Sequence, residues 1–217
     1  MPPYTALMRG YFTRPRNYSM TSQRELDVNS YAITDMGIRL VGAIAKDDHE
    51  RIHQILMQYE PYRVVDKLLE NRALTIQEIA EASSMNQVAA ETVLRLLEWA
   101  SPSLRRSKKH TYYIAHSTAP SFETYAEKLE NLWRTLAYPK FGIKREYVRI
   151  PDLRDGICEI LHIDAPVFDN LFLRLVQMFP NRFELSSAPA PVICASKEEG
   201  VRMGGRRFFY VRMTDRR

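Results

Sequence analysis

One layout, met twice, constrains the fold of this 217-residue chain more than any other feature. In the middle of the chain a helical run, a second short one, a tight turn, a third helix and basic strand-like stretches follow one another. YRVVDKLLENR puts Val64, Val65, Leu68 and Leu69 on one helical face. In LTIQEIAEAS, Thr75 stands as an N-cap with Glu78 three positions on, the spacing of a capping box, and Ile76, Ile79 and Ala80 form the buried stripe. SSMNQ is a turn, and NQVAAETVLRLLEWA is a third helix with Val88, Thr92, Val93, Leu96 and Leu97 inward. SPSL stops that helix, and RRSKKHTYYIA reads as two short strands joined by a basic turn.

The last third repeats the plan. Phe122, Tyr125, Leu129, Leu132 and Leu136 recur at helical spacing in PSFETYAEKLENLWRTLAY. Core packing accounts for that stripe, while the 4-3-4 spacing from Tyr125 to Leu136 leaves a dimer seam open. REYVRI alternates as a short strand, and Pro151 opens the helix PDLRDGICEILHI at its first position. Asp164 caps APVFDNLFLRLVQMF, whose Phe168, Leu171, Phe172, Leu175 and Phe179 face inward. RFELSS and RRFFYVRM then read as paired strands around the long loop SAPAPVICASKEEGVRMGG.

The order helix, helix, turn, helix, β-hairpin resembles the winged helix-turn-helix family, once over residues 47–118 and again, with an enlarged basic wing, over residues 119–217. The resemblance implies a mainly α fold with small β-wings, that is, tandem winged helix-turn-helix domains. In residues 1–46, SYAITDMGIRLVGAI is similar to the last wing strand of such a domain and the helix after it, through Tyr31, Ile33, Thr34, Gly37 and Leu40. Too few residues precede it for three helices. The segment is therefore an abbreviated unit, the remnant of a longer chain, or a plain tail leading into a helix.

Composition removes several other classes. A hydrophobic content of 45% with 11% aromatics is that of a globular chain. No stretch of 18 apolar residues is present, which argues against a membrane span. The N-terminus lacks the layout of a secretory signal, and Cys158 and Cys194 form no C-x-x-C, so a cytoplasmic, reducing setting is expected with both thiols structural. A net charge of +5 permits contact with a polyanion without demanding it.

One motif suggests an enzyme. His49-Glu50-Arg51-Ile52-His53 reads H-E-x-x-H, which on a helix can hold zinc with two imidazoles and leave a glutamate as base. Arg51 would set a guanidinium beside the metal, and no H-x-x-G-x-x-H continuation supplies a third ligand. Glu78 and Glu81 belong to the second helix of the middle unit. The match is read as accidental, and no catalytic residue, metal or cofactor is expected. G-x-S-x-G, P-loop and G-x-G-x-x-G motifs are also missing.

The family's third helix enters the major groove, so in the middle unit Ser84, Asn86, Gln87, Ala90, Glu91 and Arg95 would reach base edges. Arg105, Arg106, Lys108, Lys109 and His110 form a basic wing suited to phosphates. In the last unit Asp164 and Asp169 would face phosphates, while Lys197, Arg202, Arg206 and Arg207 surround Gly204-Gly205, and Arg212, Arg216 and Arg217 follow. That unit is expected to contact backbone or minor groove through its wing, or to bind protein. The overall expectation is binding of double-stranded DNA without catalysis, in transcription regulation or another DNA transaction. The alternative is a tandem winged-helix adaptor that acts as a homodimer or with a protein partner, away from membranes.

Overall fold

The computed structural model describes residues 12–13, 32–116, 118–139, 142–187 and 200–214. Cys194, Lys197, Glu198, Glu199, Arg216, Arg217 and most of the chain before Ala32 lie outside them. Helices dominate, with small antiparallel sheets among them. The described residues form two compact units, one running up to Leu68 and resuming over Ile76–Leu104, the other combining Leu69–Thr75 with the chain from Arg105 onward. Among them no helix is long and apolar enough to cross a membrane.

The first unit opens with β1 (Phe12–Thr13) paired antiparallel to β2 (Ala32–Ile33), and β2 leads into α1 (Asp35–Ile44). Thr34 caps α1 by accepting a hydrogen bond from the Gly37 N–H at 3.1 Å. Asp48 caps α2 (His49–Leu56) in the same way, accepting from the Arg51 N–H at 3.0 Å. Leu40 and Ala43 of α1, and Ile52, Ile55 and Leu56 of α2, are buried. α3 (Glu60–Asn71) follows, then α4 (Ile76–Ala82) and α5 (Gln87–Ala100), with α5 packing on both α2 and α4.

The buried face of α5 is Ala90, Val93, Leu94, Leu97 and Ala100. The stripe expected from the sequence is rotated from this one, because Ala90 and Ala100 give a weaker apolar signal than Val88 and Leu96. Val88, expected inward, is 73% exposed, and Ala90, expected at base edges, is fully buried. Thr75 directly precedes α4, the position expected of its N-cap, and also takes part in a strand. It closes β3 (Leu74–Thr75), paired with Thr111 across a sheet of order β3-β5-β4, where β4 is Leu104–Arg106 and β5 is Thr111–Ile114. A two-residue strand whose partner lies far along the chain leaves no local pattern to read.

Within the second unit, which also holds β3, β5 and most of β4, the chain from Phe122 onward repeats the order seen from α3 to β5, with one hairpin added. α6 (Phe122–Ala137) is followed by β6 (Val148–Arg149), α7 (Ile150–Leu161), α8 (Ala165–Met178), β7 (Phe183–Ser186), a hairpin of β8 (Val201–Met203) and β9 (Arg206–Phe208), and β10 (Tyr210–Met213). The sheet of this segment has the order β6-β10-β7, so here too the last strand lies between the other two. RRFFYVRM, expected as one strand, breaks at Phe209, whose N–H bonds to the Ser186 carbonyl while its own carbonyl accepts from the Ile150 N–H.

Aromatic packing holds this unit together. Phe168 and Phe172 are fully buried on α8 and stack at 5.6 Å between ring centroids. The Tyr125 hydroxyl, buried from α6, donates to the Phe168 carbonyl at 3.3 Å, and the Trp133 indole N–H donates to the Val211 carbonyl at 3.3 Å. These bonds fix α6 to α8 and β10 while satisfying groups that burial would otherwise penalise. A Cβ added at Gly156 would lie 2.7 Å from Leu132 Cδ2, so the leucine tip fills the space a larger residue on α7 would need. Phe179, expected inward at the end of α8, is 39% exposed, and Ile160 on α7 is 49% exposed.

Cys158 is buried in this core. Burial pushes its thiol up to about 12 against the neighbouring Arg154, which acts the other way. In a Cys194→Ser background, alkylation at pH 8 is therefore expected to run roughly a hundredfold or more slower in the native protein than in urea. Equal rates would contradict the packing.

α7 ends on His162, a left-handed residue at φ 52°, buried beside the Tyr113 ring and stacked with His116 at 5.7 Å. The His162 carbonyl accepts the His116 N–H at 2.7 Å, and burial lowers the imidazole pKa below its ordinary 6.5, with the His116 charge adding to the effect. The folded state thus takes up this proton less readily than the unfolded chain. The stabilisation is complete above about 6.5 and falls as pH drops through that value toward the lowered folded one. Urea midpoints at pH 7.5 and 5.5 should differ for the native protein, and His162→Asn, which tolerates the left-handed backbone, should shrink the difference.

Candidate nucleic-acid interface

The β8–β9 hairpin carries an exposed arrangement of charge, with Arg202 and Arg206 exposed and Arg207 partly so. Its two-residue connection is Gly204-Gly205, with φ of +56° and +78°, the doubly left-handed turn that suits the twist of paired strands. The register sets Val201 opposite Phe208 and Arg202 opposite Arg207, with Arg206 next to the turn. Val201 is buried and anchors the hairpin, so Arg202 points away from that side. Two arginines directly across a ladder repel one another. Among the described residues no carboxylate pairs with Arg202, Arg206 or Arg207. The geometry favours an anion from outside.

The exposed side of α8 adds polar groups that the sequence reading passed over. Asn170, Arg174 and Gln177 are exposed at steps of four and three, opposite the buried Phe168, Phe172, Leu175 and Val176. The Arg174 guanidinium lies 5.0 Å from the Phe122 ring centroid, which steadies it without removing its donors. The signal for them in the sequence is the complement of the apolar stripe, lying next to the acids Asp164 and Asp169 at the helix start. Those acids are balanced within the unit. Asp169 takes the Arg154 Nε–H at 2.8 Å, and Asp164 takes the Arg105 Nε–H at 2.6 Å instead of capping α8 through its side chain.

That second pair changes the reading of the first basic hairpin. Arg105 is tied to Asp164, the Lys108 N–H donates to the Asp155 carboxylate at 3.1 Å, and the Lys108 ammonium lies 3.7 Å from Asp152. Arg106 bonds to the His110 ring at 2.8 Å and lies 5.5 Å from the Tyr112 ring centroid. Lys109 is exposed, and His110 makes the turn at φ 61°. The five residues thus share a hairpin, but Arg105 and Lys108 are turned toward carboxylates of α7 and α8. Partly exposed pairs such as Arg105–Asp164 contribute only about 0–1 kcal/mol, so a phosphate chain can compete with them.

On α5 the expected base-reading residues have local partners. Asn86 caps the helix, its side chain accepting from the Ala89 N–H at 2.8 Å, and Arg95 bonds to Glu91 one turn earlier at 2.6 Å. Gln87 is exposed. Asn86, Gln87, Glu91 and Arg95 belong to the first unit, whereas both basic hairpins belong to the second, Arg105 onward.

The two histidines of H-E-x-x-H have separate partners on α2. The His49 ring bonds to the Trp99 carbonyl through Nδ1 at 2.9 Å and lies 3.4 Å from Asp47, while His53 Nε2 lies 3.4 Å from Asp66. Among the described residues no three His, Cys, Asp or Glu side chains come together as metal ligands do.

Compared with known protein families, curated proteins and solved structures, the chain matches none of them.

Proposed function

We propose that the chain is a tandem winged-helix protein that binds duplex DNA without catalysing a reaction, with the second unit as its principal contact. The observation that carries this reading is the Arg202–Arg207 pair, held face to face on a two-glycine hairpin. The shared sheet order, with the final strand central in both three-stranded sheets, supports the winged-helix assignment. In this reading the β8–β9 arginines lie along phosphates, and Asn170, Arg174 and Gln177 of α8 face base edges, where amide side chains pair with adenine and arginine with guanine. Arg106, Lys109 and His110 of the first hairpin add backbone contacts. The process served is transcription regulation or another DNA transaction.

Backbone-amide chemical shifts recorded on adding a duplex of mixed sequence test the proposal. Perturbations centred on Gly204, Gly205 and the outer face of α8 are expected. A spectrum unchanged there would refute it.

A second reading is favoured by α5. With Asn86 and Arg95 engaged locally and Val88 and Trp99 exposed at 73% and 37%, its outer face suits a protein partner better than phosphates. As an adaptor, the chain would show perturbations on α5 with that partner and none with DNA.

A further inference from the structure

We propose that a cleft in the second unit, at the end of α6, binds a nucleoside phosphate. The cleft is open to solvent, about 500 Å³ in volume, and its lining includes Trp133, Tyr138, Lys144, Arg145, Asn181 and Arg212, with one carboxylate, Glu146, among them. Ligand pockets span roughly 300–1,000 Å³, so this one is oversized for inorganic phosphate and suited to phosphate plus sugar and base.

The charges select an anion. Arg212 is balanced by Glu146 at 3.9 Å and Glu184 at 3.8 Å. Lys144 and Arg145 are exposed and have no carboxylate partner among the described residues. The Lys144 ammonium is held 4.8 Å from the Tyr138 ring centroid, beside an aromatic face of the cleft. A helix C-terminus ordinarily repels an anion. Here the terminal carbonyl of Ala137 is occupied by the Arg145 N–H at 2.9 Å, and the Tyr138 N–H closes back on Arg134. Two cations therefore outweigh what remains of that repulsion.

The rest of the lining suits a base. Tyr138 is 47% exposed and offers its ring to the cleft, while the buried Trp133 meets it edge-on at 6.2 Å. Asn181 offers an amide donor and acceptor beside them. Aromatic surface next to cations is the combination by which proteins hold nucleotide units, since every base has a π-face. The unit can come from a free nucleotide or from the end of a single strand.

Trp133 provides the readout. The chain has two tryptophans, so Trp99→Phe leaves Trp133 as the sole emitter. Thymidine monophosphate and a short single-stranded oligothymidylate are titrated at constant ionic strength, the oligonucleotide also against an Arg202/Arg206/Arg207→Ala background. A saturable change in Trp133 emission is expected, with Kd raised about tenfold by Lys144→Ala or Arg145→Ala and unaffected by the hairpin substitutions. Equal affinity for the two probes identifies a free nucleotide as the ligand, and tighter oligonucleotide binding identifies a strand end. The proposal is overturned by the absence of saturation with both probes, by unchanged affinity in both cleft variants, or by inorganic phosphate binding as tightly as the mononucleotide. Because the hairpin is not involved, these outcomes are independent of duplex binding.

Discussion

Phe172→Ala is expected to lower the stability of the second unit by about 3–5 kcal/mol, the range for removing a buried aromatic ring. Phe172 is fully buried, stacks on Phe168 at an interplanar angle of 10° and meets the Phe183 ring edge-on at 6.5 Å. It therefore joins α8 to β7, and the void left by alanine has rigid rings on two sides that cannot collapse into it. Domains are stable by only about 5–15 kcal/mol, so the substitution brings this unit close to unfolding at room temperature. Urea titration followed by circular dichroism measures the loss. Val88→Ala on the exposed face of α5 is the control and should stay within roughly 0.5 kcal/mol of the parent. A Phe172→Ala midpoint equal to that control would contradict the core described above.

Replacing Arg202, Arg206 and Arg207 together with alanine is expected to have the largest effect on DNA binding. Each phosphate neutralised contributes about −0.9 to the slope of log K against log salt. Three lost contacts thus make the affinity change between about 50 and about 200 mM salt smaller by a factor of roughly 40. The loss should be similar for every duplex sequence, because phosphate contacts carry no base information. Stability should move the other way or not at all, since removing Arg202 and Arg207 relieves a like-charge pair across the ladder. Weaker binding by an equally stable protein separates a binding role from a folding one. By contrast, Arg174→Ala should weaken binding more for some sequences than others.

The sequence displayed its helices well and its pairings poorly. Apolar spacing located α3 to α6 and α8, because a stripe at helical period is a local property of the chain. On α5 the expected stripe includes Val88, which is exposed, whereas Ala90, Leu94 and Ala100 are buried on the opposite phase. Short strands were visible only where they alternated, as in REYVRI; β3 has two residues and is defined by Thr111 and Tyr112 far along the chain. The ion pairs that engage the first basic hairpin escaped for the same reason. Arg105 and Asp164 are 59 positions apart, and nothing in RRSKKH distinguishes an arginine facing a carboxylate from one facing solvent. The second hairpin was partly legible, since Gly204-Gly205 between arginines already suggested a basic turn, but the Arg202–Arg207 opposition required the register.

The most direct measurement is fluorescence anisotropy of a labelled mixed-sequence duplex with the parent protein and the Arg202/Arg206/Arg207→Ala variant, each at low and moderate salt. Duplex binding through the β8–β9 hairpin predicts a steep salt dependence for the parent and a slope shallower by about 2.7 for the variant. Parallel slopes, or a parent that leaves the duplex unbound at low salt, would contradict it.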